Sequence, residues 1–182
     1  NVSYQFGKVS NSRLDYTFAS NPSPSYYQNL PSYHLQYDDI TKAYEAQENF
    51  INNGQLNWNR IYDANQTNNI NQLTAAYVLY DDRNDDDLYV ANSIFNYEAI
   101  RNINLNGKIE YRKLRSENYA KVKDVLGSTV GYLDFDRYGD SIEEQQNDLQ
   151  APNRIVDVDD RFKYNYILRS EELNAFIQGQ FT

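Results

Sequence analysis

The chain has 182 residues, a net charge of -9 and a mean hydropathy of -0.84, yet it carries 18 Tyr, 8 Phe and 1 Trp. The acidic balance weighs against nucleic acid, whose binding rests on phosphate neutralisation, and this much aromatic content argues against disorder. With no Cys there is no disulfide, thiol chemistry or Cys-held metal; no apolar run approaches the 18 residues of a membrane-spanning helix, a test that barrel strands do not face.

Val2, Tyr4 and Phe6 begin a strand. The next stretch, about 19–87, is too long for a bare loop. Pro22, Pro24 and Pro31 break regular structure, so 22–33 is expected to be irregular and rigid. Asp39 caps a helix over Ile40–Asn52, with Ile40, Ala43, Tyr44, Gln47, Phe50 and Ile51 on one face and Asn53-Gly54 as its stop. Thr74–Tyr80 has strand composition. Asp81-Asp82-Arg83-Asn84-Asp85-Asp86-Asp87 is expected to be a solvated acidic loop tip.

Two long alternating runs follow, 88–99 and 103–114, joined by a turn at 100–102. Tyr89, Ala91, Phe95, Tyr97 and Ala99 share one parity of the first; Ile103, Leu105, Ile109 and Tyr111 share one of the second, against Asn104, Asn106, Lys108, Glu110 and Arg112. Period-two patterning over about ten residues exceeds the usual strand of five or six and matches the roughly 9–11 residues with which a tilted strand crosses a bilayer. Ser116 is expected to cap a helix to Leu126, closed by Gly127, and Ser141 with Glu144 matches a capping box for a helix to about Leu149. A strand at 162–168, a polar break at 169–172 and a last strand at 173–182 complete the chain.

Short connections on one side and long ones (about 19–87 and 115–161) on the other are the asymmetry of an outer-membrane barrel. The expected fold class is all-β: a section of a large antiparallel transmembrane β-barrel whose long extracellular loops carry short helices. Residues 1–182 form about five strands of it. Five strands cannot close a barrel, so these residues are expected to be a stretch of a larger one. Leu105, Ile109, Tyr111, Leu173, Ala175, Ile177 and Phe181 are expected to face lipid, and Asn104, Asn106, Lys108, Glu110, Asn174 and Gln178 the lumen.

Catalytic constellations are not nominated. His34 is the single histidine, with no G-x-S-x-G or Cys to accompany it, and the expectation is a non-enzyme with no catalytic residue. Asp134, Asp136 and Asp140 open like a calcium loop, with Gly139 at the sixth position. Tyr138 at the fifth and Gln145 at the twelfth depart from that pattern, leaving a looser Ca2+ site here, with the acidic run 81–87 as the other Ca2+ candidate beside its reading as a solvated loop. Tyr26, Tyr27 and Trp58, among the amides Gln28, Asn29, Asn57 and Asn59, are the candidate ligand-binding residues. Such surfaces bind sugars or peptides, and the same aromatics serve equally to pack a long loop against itself.

The run from Asn1 to Arg13 (Asn-Val-Ser-Tyr-Gln-Phe-Gly-Lys-Val-Ser-Asn-Ser-Arg), followed by Pro22 to Tyr33 (Pro-Ser-Pro-Ser-Tyr-Tyr-Gln-Asn-Leu-Pro-Ser-Tyr), resembles large TonB-dependent outer-membrane receptors of the branch with a carboxypeptidase-regulatory-like domain. Ala76–Arg83, Leu114–Tyr119 and Leu149–Arg154 extend the resemblance over nearly the whole chain, and its specificity lies in the succession of strings. It implies a 22-stranded barrel with an internal plug, in the outer membrane of a Gram-negative bacterium, importing a bulky solute such as a glycan, peptide or chelate. The implied partners are outer-membrane lipid, an inner-membrane energy-coupling protein reached through parts not present here, and a surface lipoprotein. The coupling motif has no match in these residues. A soluble glycan-binding β-sandwich is the alternative, at odds with the one-sided loop lengths; a non-transporting adhesion protein is another, and the repeats it would tend to have are missing.

Overall fold

A computed structural model describes residues 1–100 and 102–181, with Ala99 and Ile100 described by backbone only. Its strands are β1 (Val2–Tyr16), β2 (Tyr77–Ile100), β3 (Ile103–Asp124), β4 (Tyr132–Leu133), β5 (Ile155–Val156) and β6 (Arg161–Phe181); its helices are α1 (Pro31–Leu35), α2 (Ile40–Asn52) and α3 (Trp58–Ile70). Two compact units share them: one of residues 1–12, 81–121 and 161 onward, the other of 13–80 and 122–160.

The first unit is a β-sheet in the order β1-β2-β3-β6. Asn1 and Asn92 exchange backbone hydrogen bonds of 2.7 and 2.8 Å, the Tyr4 and Tyr89 rings lie 4.6 Å apart, and Ser12 Oγ donates to Asp81 at 2.6 Å. These contacts fix one antiparallel register along β1 and β2. Asp87 beside Arg115 (3.8 Å), the Asn84 amide donating to Asn118 (2.8 Å) and the Phe95 ring above Gly107 fix β2 on β3. On the other side of β3, Ile103 stands opposite Phe181 and the register runs unbroken to Tyr119 opposite Asn165. A bulge follows, with Lys163 at φ 61, before Ala120 meets Phe162.

The expected break at 169–172 does not occur, so there are four long strands rather than five. Arg169, Ser170, Glu171 and Glu172 lie opposite Arg115, Leu114, Lys113 and Arg112, and Lys113 reaches Glu171 at 2.7 Å. Without Gly, Pro or Asn, those polar residues simply continue the ladder. The expected helix at 116–126 is likewise strand to Asp124: Glu117 and Tyr119 are committed to cross-strand partners, and the turn comes at Leu126 (φ 50) and Gly127 (φ 81). The acidic run is also strand, not loop tip. Asp81, Asp82, Asp85 and Asp87 accept from Ser12, Tyr164, Tyr119 and Tyr4 respectively. The long connections accordingly shorten to 17–76 and 125–160. Of the expected turn at 100–102 and the expected last strand at 173–182, Arg101 and Thr182 lie outside the described residues.

The second unit has a buried hydrophobic core. Ile61, Ala76, Tyr77 and Leu126 are its centre, with Leu14, Tyr16, Ala19, Leu56, Ala64 and Leu79 packed around them. Asn65 of α3 is 0% exposed and fully used. Its amide N–H groups donate to Tyr77 O (2.9 Å), Val125 O (3.0 Å) and Leu126 O (3.1 Å), and its Oδ1 accepts from Ala76 and Tyr77 N–H. Asn68 and Asn69, a turn later, bind Thr74 O and Gly127 O at 2.7 and 2.8 Å. Burial, with Asp15 next, pushes the Tyr132 hydroxyl far up, and it bonds Thr17 Oγ1 at 2.7 Å. Arg137 pairs with buried Asp15 (2.8 Å) and lies over the Tyr16 ring (3.9 Å).

Helix α2 has the expected limits, and Asp39 caps it by accepting from Lys42 N–H at 3.0 Å. Its buried residues are Ala43 and Ala46, whereas Ile40, Tyr44 and Ile51 stay exposed. Segment 22–33 is more regular than expected, holding a 3-10 turn at Tyr27–Asn29 and the start of α1 at Pro31. Half of the capping box at Ser141 forms, with Glu144 N–H donating to Ser141 Oγ at 3.2 Å while the Glu144 carboxylate accepts from Asp140 N–H at 3.0 Å, and only turns follow it. One satisfied cap cannot offset the cost of helix nucleation where little apolar surface is available to bury.

Candidate functional site

Two features stand out, one on each unit. On the sheet, residues of one parity make an apolar belt. Tyr89, Ala91, Ser93, Phe95 and Tyr97 belong to it on β2, Ile103, Leu105, Gly107, Ile109 and Tyr111 on β3, and Leu173, Ala175, Ile177, Gly179 and Phe181 on β6, with Val2, Tyr4 and Phe6 on β1. Leu173, Ile177 and Phe181 are 72, 70 and 78% exposed. The register places all seven residues expected to face lipid on this face. Asn104, Asn106, Lys108, Glu110, Asn174 and Gln178 share the other.

Beyond the belt the same face turns abruptly charged. Lys113–Glu171, Arg115–Glu117 (2.9 Å), Arg161–Glu117 (2.6 Å) and Arg83–Asp85 (2.9 Å) form an ion-pair field. Arg161 first, then Arg115, holds the Glu117 carboxyl below its ordinary range, and Glu171 raises Lys113.

The boundary between the two zones is slanted. Phe6 on β1 faces Asp87, Tyr89 on β2 faces Lys113, and Tyr111 on β3 faces Leu173, the last residue of the belt on β6 before Glu171 and Arg169. The edge therefore steps by about 4 residues, roughly 13 Å, across three strand spacings of about 4.8 Å, a slant of about 40°.

In the second unit, the segment around Pro22–Asn29, α1, α2 and α3 line a cleft of about 650 Å³. The wall includes Pro22, Pro24, Phe50 and Ile61 on the apolar side and Asn49, Asn53, Gln55, Glu45, Arg60 and His34 on the polar side. Asn57 starts α3 by accepting from Arg60 N–H at 3.1 Å. Lys42 is engaged by Asp39 at 3.0 Å, which raises Lys42 and lowers Asp39.

The expected ligand residues divide. Tyr26 and Tyr27 come together (4.7 Å) and continue through Tyr33 (5.6 Å) to Tyr37 (5.2 Å), a run of edge-on rings in which hydrogen bonds from Tyr27 and Tyr37 raise the Tyr26 and Tyr33 hydroxyls. Trp58 opens α3 and, among the described residues, makes no ring contact with them. None of the three lines the cleft. Of the expected calcium ligands, Asp134 is buried and bound by the Asn147 amide (2.9 Å) with Arg154 nearby (3.7 Å), Asp136 accepts from Tyr138 N–H (3.0 Å), and Asp140 N–H donates to Glu144. Among the described residues no three acid or histidine side chains are grouped to hold a metal.

Sequence reasoning missed α3 and with it the cleft. Trp-Asn-Arg-Ile-Tyr-Asp-Ala-Asn-Gln-Thr-Asn-Asn-Ile has no broad apolar stripe, because Asn65 takes an inward position that a hydrophobe would usually hold. The available signal was Asn57 as cap with Ile61 and Asn65 four residues apart. No protein-family model, curated protein or solved structure matches the chain.

Proposed function

We propose that this chain is a section of a transmembrane β-barrel of a TonB-dependent outer-membrane receptor, serving uptake of a bulky solute rather than catalysis. The observation that carries the reading is the slanted, exposed apolar belt. Four neighbouring strands keep it on one face, with Tyr89, Tyr97, Tyr111 and Phe181 toward its margins and behind it a mainly polar face that also carries Ile94 and Phe176. Lipid-facing bands of outer-membrane barrels are about 25 Å tall, bounded by aromatics, and cross strands tilted by roughly 35–45°. A water-soluble sheet would have to cover such a face, since monomers rarely leave large apolar patches open. The long strand edges of β1 and β6 fit the same reading, because barrels abolish edges by pairing them with further strands.

On this reading residues 17–76 and 125–160 join strand ends beyond the charged zone, outside the cell, and contribute to solute capture. Outer-membrane lipid, an inner-membrane energy-coupling protein and a surface lipoprotein remain the proposed partners. The test is fractionation of cells expressing the protein. Recovery in the outer membrane with heat-modifiable electrophoretic mobility is expected; recovery in the soluble fraction with mobility independent of heating would overturn the assignment.

A further inference from the structure

The asparagines and glutamines of the second unit fall into two groups. Asn57, Asn65, Asn68 and Asn69 spend their side chains on helix caps and loop carbonyls. Asn49, Asn53 and Gln55, all exposed, have no side-chain hydrogen bond to protein among the described residues, and all three line this cleft. An amide offers a donor and an acceptor side by side, the complement of a peptide group. The same wall holds charges of both signs without an ion-pair partner among the described residues: the Glu45 carboxylate from α2 and the Arg60 guanidinium from α3. A neutral sugar could hydrogen-bond to both groups but would neutralise neither charge. A zwitterion with amide bonds between its two ends uses both, and Pro22, Pro24 and Phe50 give its side chains an apolar wall.

We propose that this cleft binds a short peptide with free termini, Glu45 taking the ammonium end, Arg60 the carboxylate end, and Asn49, Asn53 and Gln55 the peptide groups between. A volume of about 650 Å³ suits a ligand of tripeptide size. The inference rests on the receptor reading only in naming the solute it captures.

The experiment is calorimetric titration of the intact protein in detergent with an equimolar set of unmodified tripeptides, then with their N-acetylated and C-amidated forms, and with a neutral trisaccharide. Heat-modifiable mobility is checked on the same samples. Unmodified peptides should bind, and each capped form should bind about tenfold more weakly. Glu45→Gln should remove the penalty for N-acetylation while leaving that for C-amidation, and Arg60→Gln should do the reverse. Equal binding of free and capped peptides, binding of the trisaccharide alone, or no binding by protein that keeps its heat-modifiable mobility would each overturn the peptide assignment while leaving the barrel reading intact. Loss of heat-modifiable mobility with peptide binding retained would instead sink the barrel reading alone.

Discussion

The sheet and the second unit bury their residues in opposite ways. On β6 almost every side chain is exposed, apolar ones included, whereas in the second unit Tyr132, Ile61, Leu126, Val78 and even an asparagine are withdrawn from water. The ladder holds the sheet together: its backbone groups pair strand to strand whatever surrounds its faces. The second unit depends on contacts of specific side chains with specific carbonyls. A single substitution should therefore damage the two regions through different physics.

The largest effect is expected at Asn65. Asn65→Leu keeps the branching of the side chain, with bulkier methyl groups, but removes the partner of two N–H groups and three carbonyls, all buried. At about 1–3 kcal/mol for each buried group left unsatisfied, and with partial relaxation, a loss of roughly 4 kcal/mol or more in the second unit follows. Hydrogen exchange should then show α3 and residues 122–131 losing protection while β3 and β6 keep theirs at 103–119 and 165–181. Protection unchanged in α3 would show that the five bonds matter little.

The next contrast lies between the two faces of the sheet. Ile109 opposite Ala175 is in the belt, and Asn106 opposite Gln178 is on the polar face. Ile109→Arg puts a charge where lipid is proposed, at a cost of roughly 2–4 kcal/mol near mid-bilayer, whereas Asn106→Arg should be tolerated. Membrane assembly assayed by heat-modifiable mobility is the measure, and equal tolerance of both variants would refute the facing.

Why the sheet was more legible in the sequence than the cleft follows from these differences. Period-two alternation depends on one residue at a time, so 103–114 and 173–181 were plain, and the helix at 40–52 carried its own cap in Asp39 and stop in Gly54. Errors came where a local signal met a long-range competitor. Ser116 looks like a cap, but Glu117 is claimed by Arg161, 44 residues away, and the strand continues. Arg169 to Glu172 look like a turn until Lys113 is seen to pair with Glu171. The cleft depends on α3, whose inward asparagine finds its partners in residues 11 to 61 positions away, and no local pattern announces that.

A smaller effect is expected at Gly107, where the sheet has one packing constraint of its own. A Cβ there would lie 2.3 Å from Cζ of Phe95 and 3.0 Å from Phe176 O, so the ring covers bare backbone. Gly107→Ala must push the ring aside, at a cost of about 1–2 kcal/mol, within the range for overpacking. Phe95→Leu should restore most of that loss in the double variant. Unfolding in urea from lipid vesicles measures both, and additive losses would mean the ring is not what excludes a side chain.

The smallest effect is electrostatic and sits in the charged zone. Glu117 is ion-paired with Arg161 and Arg115, and its folded pKa is lowered by them, Arg161 first. A depressed carboxylate contributes stability that is present above its unfolded value near 4.3 and is lost as pH falls through the lower folded value. The pairs lie at a partly exposed surface, so the contribution should stay below about 1 kcal/mol and shrink with salt. Glu117→Gln should therefore lower the urea midpoint slightly at pH 7 in low salt, and the difference should shrink as pH falls through the lowered folded value of the wild-type carboxyl. Sodium chloride at 1 M should remove most of the pH 7 difference. Ile109→Arg in the belt should be indifferent to the same salt, because its cost is transfer out of water rather than a screened pair. A Glu117→Gln loss that survives 1 M salt would mean that hydrogen-bond geometry, not charge, is what the ion-pair field supplies to the sheet.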